Sequence, residues 1–531
     1  MKAVSSGHSR ALHTTSPSEE IPWRCTAFNA RRETAWPPFP RLARPDLVQH
    51  IHARGPDGPS LCSRPLRSRS DRNLLLLQGS CMTHASQDAP GRTASPKKLT
   101  RPTSRGWIEL ATFLSDPLTY LPKIAKKDGG DLVPFLLGSL PCTLVTKPEY
   151  IKQGLLNEDW PPITRGRLVN LTKWYLGGLF VNMGAEHHRQ RDDIWKPILA
   201  DPIVPKLAAE LTEDWAGKWK EGQTFDIFRE LRALCFTIDW KAMTGEDLRN
   251  DPKLLNALEI GVNTLPWLIL PMGLTRWNLP LPATLAAKGA QKLINDRVTE
   301  RIAERRRDPS KQDLLAKMVA IRDAKGSVTT DAQLNSTVMM YFGADQLHAM
   351  YAWLFYLLSQ NPDVEAKLQA ELDRELGGRT PVPEDMHKLP YLHNVLKESM
   401  RIMPPVWGFF RELTQDYQMG DTLLPSGSLM GFSPWVTQRD ERYWPEPLRF
   451  NPDRWANGAN MPPALSYFPF SAGPYRCHGT ELAMTEAFLM LTIIAQRWSF
   501  RPTSSAVPVP TATWCTEPKG GIGMKVTPRK K

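Results

Sequence analysis

From residue 106 onward apolar positions recur mostly at helical spacing, and in a few places they shorten to runs or alternations typical of strands. Residues 116–127 suit a short helix, 132–138 and 142–145 read as paired short strands, and 148–155 begin another helix. Gly184-Ala185-Glu186-His187-His188-Arg189-Gln190-Arg191 opens a further helix, and residues 203–260 alternate apolar and charged positions at helical spacing. Residues 264–282 are apolar, poor in charge and broken by Pro266, Pro271 and Pro282, which argues against a long helix there. A basic helix over 284–307 ends at Asp308-Pro309, and Asp313 starts the next. Thr330-Asp331 caps the longest helical pattern, expected to run unbroken to about Gln360, where Asn361-Pro362 stops it. Gly343 interrupts that helix at a cost of about 1 kcal/mol against alanine, so something must gain from the opening. Past residue 404 short strands turn at Gly420-Asp421 and Pro425-Ser426-Gly427. The pattern is mainly α with a small β region.

Residues 1–105 follow neither period. They are rich in Arg, Ser, Pro and His, and such a segment buries too little apolar surface to offset its ordering entropy. The expected division is a disordered extension over 1–105 and one domain over 106–531. Acidic residues scattered through the extension disfavour an organelle transit peptide, and Met82 is read as the native start.

Composition adds limits. The chain is 41% hydrophobic, enough for a large core, yet has no run of about 18 apolar residues to span a bilayer. Seven cysteines form no CxxC pair and no regular spacing, so neither a disulfide framework nor a zinc cluster is indicated, and a reducing, cytoplasmic setting is expected. The net charge of +12 is concentrated early: residues 1–81 hold 12 Lys and Arg against 6 Asp and Glu. The remainder is an ordinary solvated surface, without the basic stripe that nucleic-acid binding requires.

The strongest chemical signal lies between Phe470 and Glu486. A single cysteine, Cys477, sits in a turn containing Gly473, Pro474 and Gly479, directly before an amphipathic helix. Glycines let backbone approach a large flat ligand, and N–H groups at a helix start favour a thiolate. On those features alone a buried structural cysteine remains the commoner outcome.

The spacing Phe470-x-x-Gly473-x-x-x-Cys477-x-Gly479 resembles the haem-binding loop of the cytochrome P450 family. The resemblance implies that fold, one haem b, and Cys477 as proximal iron ligand with Phe470 packed against its loop. Tyr475 stands where the family usually has Arg or His for a haem propionate. His187 and Arg191, one helical turn apart, match further propionate contacts, as does Arg411. In the long helix Gly343 matches the small residue beside bound O2 and Asp345 the acid of the proton relay, whereas Gln346 replaces the usual threonine. Glu398-x-x-Arg401 and Phe450-x-Pro452-x-Arg454-Trp455 match a buried Arg–Glu–Arg cluster that locks the ligand loop. Residues 264–282 match a mobile lid, and Val406, Trp407 and Phe409 would edge a pocket for a hydrophobic small molecule. The implied reaction inserts one atom of O2 into that substrate. With 54 residues after Cys477 there is no room for a fused reductase, so electrons would come from a ferredoxin or flavodoxin-type donor. Gln346 leaves two alternatives open: a peroxide-using or isomerising enzyme of the same fold, or a non-catalytic haem sensor or carrier.

Overall fold

The computed structural model describes residues 97–98, 106–128, 130–156, 163–164, 182–269, 281–321, 329–344, 346–456 and 462–529. They belong to one compact unit, Pro90–Lys531. Of the extension expected over 1–105, the described part is Lys97–Lys98, a short strand pairing in parallel with Thr422–Leu424; the rest, Met82 included, lies outside the described residues.

Two helices are buried on nearly every side and form the centre of the packing. Ile227–Thr244 buries Phe228, Phe236 and Trp240, and Leu347–Gln360 is buried without interruption from His348 to Leu358. Helices this apolar all round are stable only when enclosed by others. Their mutual contact is flanked by Thr480–Arg497, which also packs on Ile203–Gly217. Local chemistry sets the ends. Asp226 accepts a hydrogen bond from Phe228 N–H at 3.1 Å, and Gly245 closes the same helix in the left-handed region at φ +77°. Thr330 and Gln333 form a reciprocal cap, with Gln333 N–H donating to Thr330 Oγ1 at 3.3 Å and Thr330 N–H to Gln333 Oε1 at 3.0 Å.

The expected strand pair is present: Leu132–Leu137 and Leu140–Val145 are antiparallel, Leu132 opposite Val145. They edge a five-stranded sheet that continues through Leu429–Phe432, Phe409–Leu413 and Ile163–Thr164. The pairing of Leu140–Val145 with Leu429–Phe432 is parallel and joins segments far apart in the chain, a register no local turn can specify. A second sheet joins Trp498–Pro502, Gly523–Pro528 and Thr224–Asp226, and Pro510–Ala512 pairs with Thr516–Pro518 in a small hairpin.

Two expectations about helices are corrected. Pro252–Ile269 runs straight through Pro266. A proline removes one ladder hydrogen bond and strains one carbonyl, which a helix anchored on both sides tolerates. Residues 270–280, the rest of the expected lid, lie outside the described residues. The long helix is not continuous either: Asp331–Ala344 ends, and a new helix begins at Leu347. Gly343-Ala344-Asp345-Gln346 places two poor helix formers within four residues, too weak a local preference to hold the ladder.

Candidate haem-thiolate site

Phe470–Gly479 folds as successive tight turns. Ser471 N–H donates to the Phe468 carbonyl at 3.0 Å, Arg476 N–H to Gly473 at 3.1 Å and Cys477 N–H to Phe470 at 2.9 Å. Thr480 Oγ1 then donates to the Cys477 carbonyl at 2.8 Å, tying the turn to the following helix. Gly473 is essential here. Its φ is +73°, and a Cβ on it would lie 1.9 Å from the Leu155 carbonyl oxygen, because the loop passes directly over the end of helix Pro148–Leu155. Gly479 differs from expectation: its φ of −80° is open to any residue. A Cβ there would meet Cys477 Sγ at 3.9 Å and Leu199 Cδ2 at 4.0 Å, with no nearer neighbour. Gly479 therefore keeps space beside the sulfur rather than enabling a special backbone.

Cys477 is a free thiol whose surface faces open space although protein surrounds it closely. That burial pushes the thiol up from its ordinary value, partly offset by the Gly479 N–H, the Thr480 side chain and the Arg476 charge. A single thiol, a sulfur-facing cradle without a side chain and buried basic groups nearby fit an iron porphyrin.

Those basic groups reach the loop unevenly. His187 is fully buried, its ring 4.5 Å from that of Tyr475 and 5.3 Å from that of His478. Tyr475 is buried too, and its hydroxyl accepts the Gly184 N–H at 3.1 Å, fastening the start of the His187 helix to the cysteine loop. Arg191 follows His187 by one α turn, its N–H bonded to the His187 carbonyl. The helix changes to π geometry over Arg191–Trp195, and Arg191 Nε lies 3.1 Å from Asp192 Oδ1. Arg411 is buried on Phe409–Leu413, stacks over Phe409 at 4.8 Å and donates to the Phe410 carbonyl at 2.9 Å. Phe409 and Leu413, on the same strand face, pack with Phe468 and Ala472, so that face looks onto the segment leading into the cysteine loop. Strand alternation turns Phe410 to the opposite face, where it lies 6.1 Å from Phe113, itself 6.0 Å from Trp407.

On the other side, Gly343 lies in the last turn of Asp331–Ala344, and Asp345 lies outside the described residues. Gln346 starts the next helix, and its amide Nε2 donates to the Trp514 carbonyl at 3.5 Å. Trp514 sits at the tip of the small hairpin, whose Thr513 carbonyl accepts the Trp407 indole N–H at 3.1 Å. No local pattern marks Trp514, because the approach of its hairpin to Gln346 and Trp407 is purely tertiary.

The anchoring cluster forms as its motifs implied. Glu398 and Arg401 are fully buried, joined at 2.8 and 2.9 Å, and Arg454 Nε adds a 2.9 Å contact to Glu398. Trp455 Nε1 and Asn451 N–H also donate to Glu398, at 2.9 and 3.0 Å. Arg401 donates to the carbonyls of Gln438 and Pro447, both at 2.8 Å, and the Gln438 side chain receives Phe468 N–H at 2.9 Å. Helix, loop and ligand segment are thus bolted through one buried carboxylate.

The comparisons with known proteins agree with this geometry. The sequence profile of the cytochrome P450 family matches residues 108–526. Cyclooctatin synthase of Streptomyces melanosporofaciens is 32% identical over 399 residues, 73% of this chain and 86% of that protein. Cyclooctat-9-en-7-ol 5-monooxygenase of the same organism is 30% identical over 398 residues, 73% of this chain and 85% of its own. The fold is similar to that of cyanobacterial CYP120A1 with retinoic acid bound, with a TM-score of 0.70 at 21% identity, covering 82% of this chain and 99% of that one. A haem is inherent to such a family, as are O2, an organic substrate and a source of electrons; among the described residues no helix is long and apolar enough to cross a membrane. The chain is a monooxygenase of the cytochrome P450 family.

Proposed function

We propose that the protein oxidises an apolar, polycyclic hydrocarbon or its monohydroxylated derivative, using haem b held by Cys477 and electrons from a separate ferredoxin or flavodoxin-type protein. The observation that carries the site is the Cys477 thiol, free and facing open space on a loop that Gly473, Phe470 and the Glu398 cluster hold rigid. The substrate class rests on the names of the two Streptomyces relatives and on the aromatic wall of Phe113, Trp407 and Phe410. Haem bound at Cys477 supplies reductive activation of O2 and transfer of one oxygen atom to a C–H or C=C bond.

The chain's own residues then divide the work. Cys477 donates electron density to the metal. Phe470 packs beside the ligand loop, and Gly479 keeps its sulfur face clear. His187, Arg411 and Tyr475 lie on the buried side of the loop, where they would hold propionates; Arg191 would join them by exchanging Asp192 for a propionate oxygen. Gly343 would leave room beside the metal. Asp345 would supply protons, and Gln346, lacking a hydroxyl, would position water through its amide while its Nε2 is anchored on Trp514. The Trp407 and Trp514 contacts hold the apolar wall against the same helix start. Cys142 and Cys477 are free thiols, which supports a reducing, cytoplasmic setting.

The test is turnover of a polycyclic alkene with NADPH, a ferredoxin and its reductase under isotopically heavy O2. One heavy oxygen per product is expected. Product from hydrogen peroxide alone, and none with the reductase system, would favour the peroxide-using reading that Gln346 permits; no oxidised product from any donor would favour a haem carrier.

A further inference from the structure

Behind the Gln346–Trp514 contact lies a buried group that the haem chemistry does not use. His348 and Cys515 are both fully buried, and Glu517 is nearly so, with a side chain 13% exposed. Cys515 Sγ lies 3.5 Å from Glu517 Oε1 and 4.0 Å from His348 Nε2, and one potential ligand atom from each residue falls within 4.8 Å of the others. Zinc with bonds of about 2.0–2.3 Å to N, O and S ligands needs ligand-to-ligand edges of about 3.3–3.6 Å, so the Cys515–Glu517 edge already fits, the Cys515–His348 edge must close by about half an ångström and the third by up to about 1.5 Å. We propose that His348, Cys515 and Glu517 form a site for a borderline-soft divalent cation, with zinc the best match.

The donor set argues for that class. Thiolate with imidazole excludes magnesium and calcium, which take oxygen ligands, and the one carboxylate completes a set that zinc accepts. Cys515 would lose its proton to solvent on binding, and its thiolate together with the Glu517 carboxylate would offset the divalent charge, leaving the Arg232 guanidinium already paired with Glu517 as the residual positive charge. Outer contacts orient the carboxylate: Arg232 Nη2 donates to Glu517 Oε1 at 2.8 Å, while its Nη1 donates to Asn263 Oδ1 at 3.2 Å. Phe228 and Phe236 stand 5.3 and 5.9 Å from the His348 ring and give the site a dry wall.

The consequence concerns the reaction site. Cys515 follows Trp514, and His348 lies one residue past the start of the helix that follows Gln346. A cation there staples the hairpin tip to the helix, fixing Trp514 against Gln346 across 168 residues of chain. The ligands come from segments so distant that cysteine spacing cannot reveal them.

The experiment uses the full haem-loaded chain without a metal-binding tag, dialysed against micromolar zinc sulfate and then against metal-free buffer. Elemental analysis is expected to find about one zinc per chain, and zinc-edge absorption one sulfur at about 2.3 Å. Cys515→Ala and His348→Ala are each expected to remove the metal, and Arg232→Met, which keeps all three ligands, to weaken it about 10–100-fold. Wild-type protein holding less than about a tenth of a zinc per chain, or a sulfur-free coordination sphere, would overturn the proposal. So would full occupancy in both ligand variants. The wild-type measurement decides even if a variant fails to fold, and haem content, read separately from the Soret band, keeps this result independent of the Cys477 assignment.

Discussion

A methyl group added at Gly473 would sit 1.9 Å from the Leu155 carbonyl on a backbone at φ +73°, whereas one at Gly479 would have 3.9 Å to its nearest neighbour. Gly473→Ala is therefore expected to cost about 3 kcal/mol or more, and Gly479→Ala within about 1 kcal/mol. Denaturant unfolding of the two variants checks the contrast; equal losses would contradict it. In the sequence both glycines had the same apparent purpose, because residue type and spacing do not carry φ. The same limit holds for Arg191, whose one-turn spacing from His187 promised a shared face. That spacing is kept, and what it could not show is the Asp192 carboxylate that the guanidinium contacts. His187 and Tyr475 were legible as residues of the site region, but their ring contact at 4.5 Å required the two helices to meet.

At the scale of elements, the Glu398 cluster and the short helix Pro383–Lys388 show what charge does inside and at the rim of the fold. Glu398 accepts from four side-chain and backbone partners within 3.0 Å, so Glu398→Gln leaves Arg401 buried without its counter-charge. The expected loss is about 3–5 kcal/mol together with reduced haem retention, measured by unfolding and by the ratio of Soret to protein absorbance. At the rim, Arg379 grips both oxygens of Asp385 at 2.6 Å and holds its carboxyl well below the usual carboxylate range. A carboxyl depressed by folding contributes its stability above its unfolded value near pH 4 and loses it as the pH falls through and below that value. Asp385→Asn should thus cost about 1 kcal/mol at neutral pH, reduced by the exposure of Arg379, and the gap to wild type should close as the pH drops below about 4. A gap that widened in acid would contradict the assignment. The motifs around Glu398 made this cluster readable, although Trp455 as a fifth contact was not. The break after Ala344 was not readable either, since the hydrophobic period continues across it while local propensity does not.

For the whole molecule, capping residues and periodicity placed most helices and the first strand pair, because those signals are local. The parallel register between Leu140–Val145 and Leu429–Phe432, and the meeting of Trp407, Gln346 and Trp514, depend on contacts hundreds of residues apart and left no local trace. Trp514→Ala removes an indole packed on the core but keeps the main-chain carbonyl that Gln346 contacts; it is expected to leave haem content unchanged and to weaken binding of an apolar ligand about tenfold or more, read from the ligand-induced Soret shift. An unchanged affinity would separate Trp514 from the pocket. Everything above it depends on iron bound by Cys477. The most direct measurement is the carbon monoxide difference spectrum of the dithionite-reduced protein: wild type should show the strongly red-shifted Soret maximum of a thiolate-ligated haem, and Cys477→His should move it to the position of an imidazole-ligated one. A protein that binds no haem, or a Cys477→His variant with an unaltered spectrum, would contradict the account.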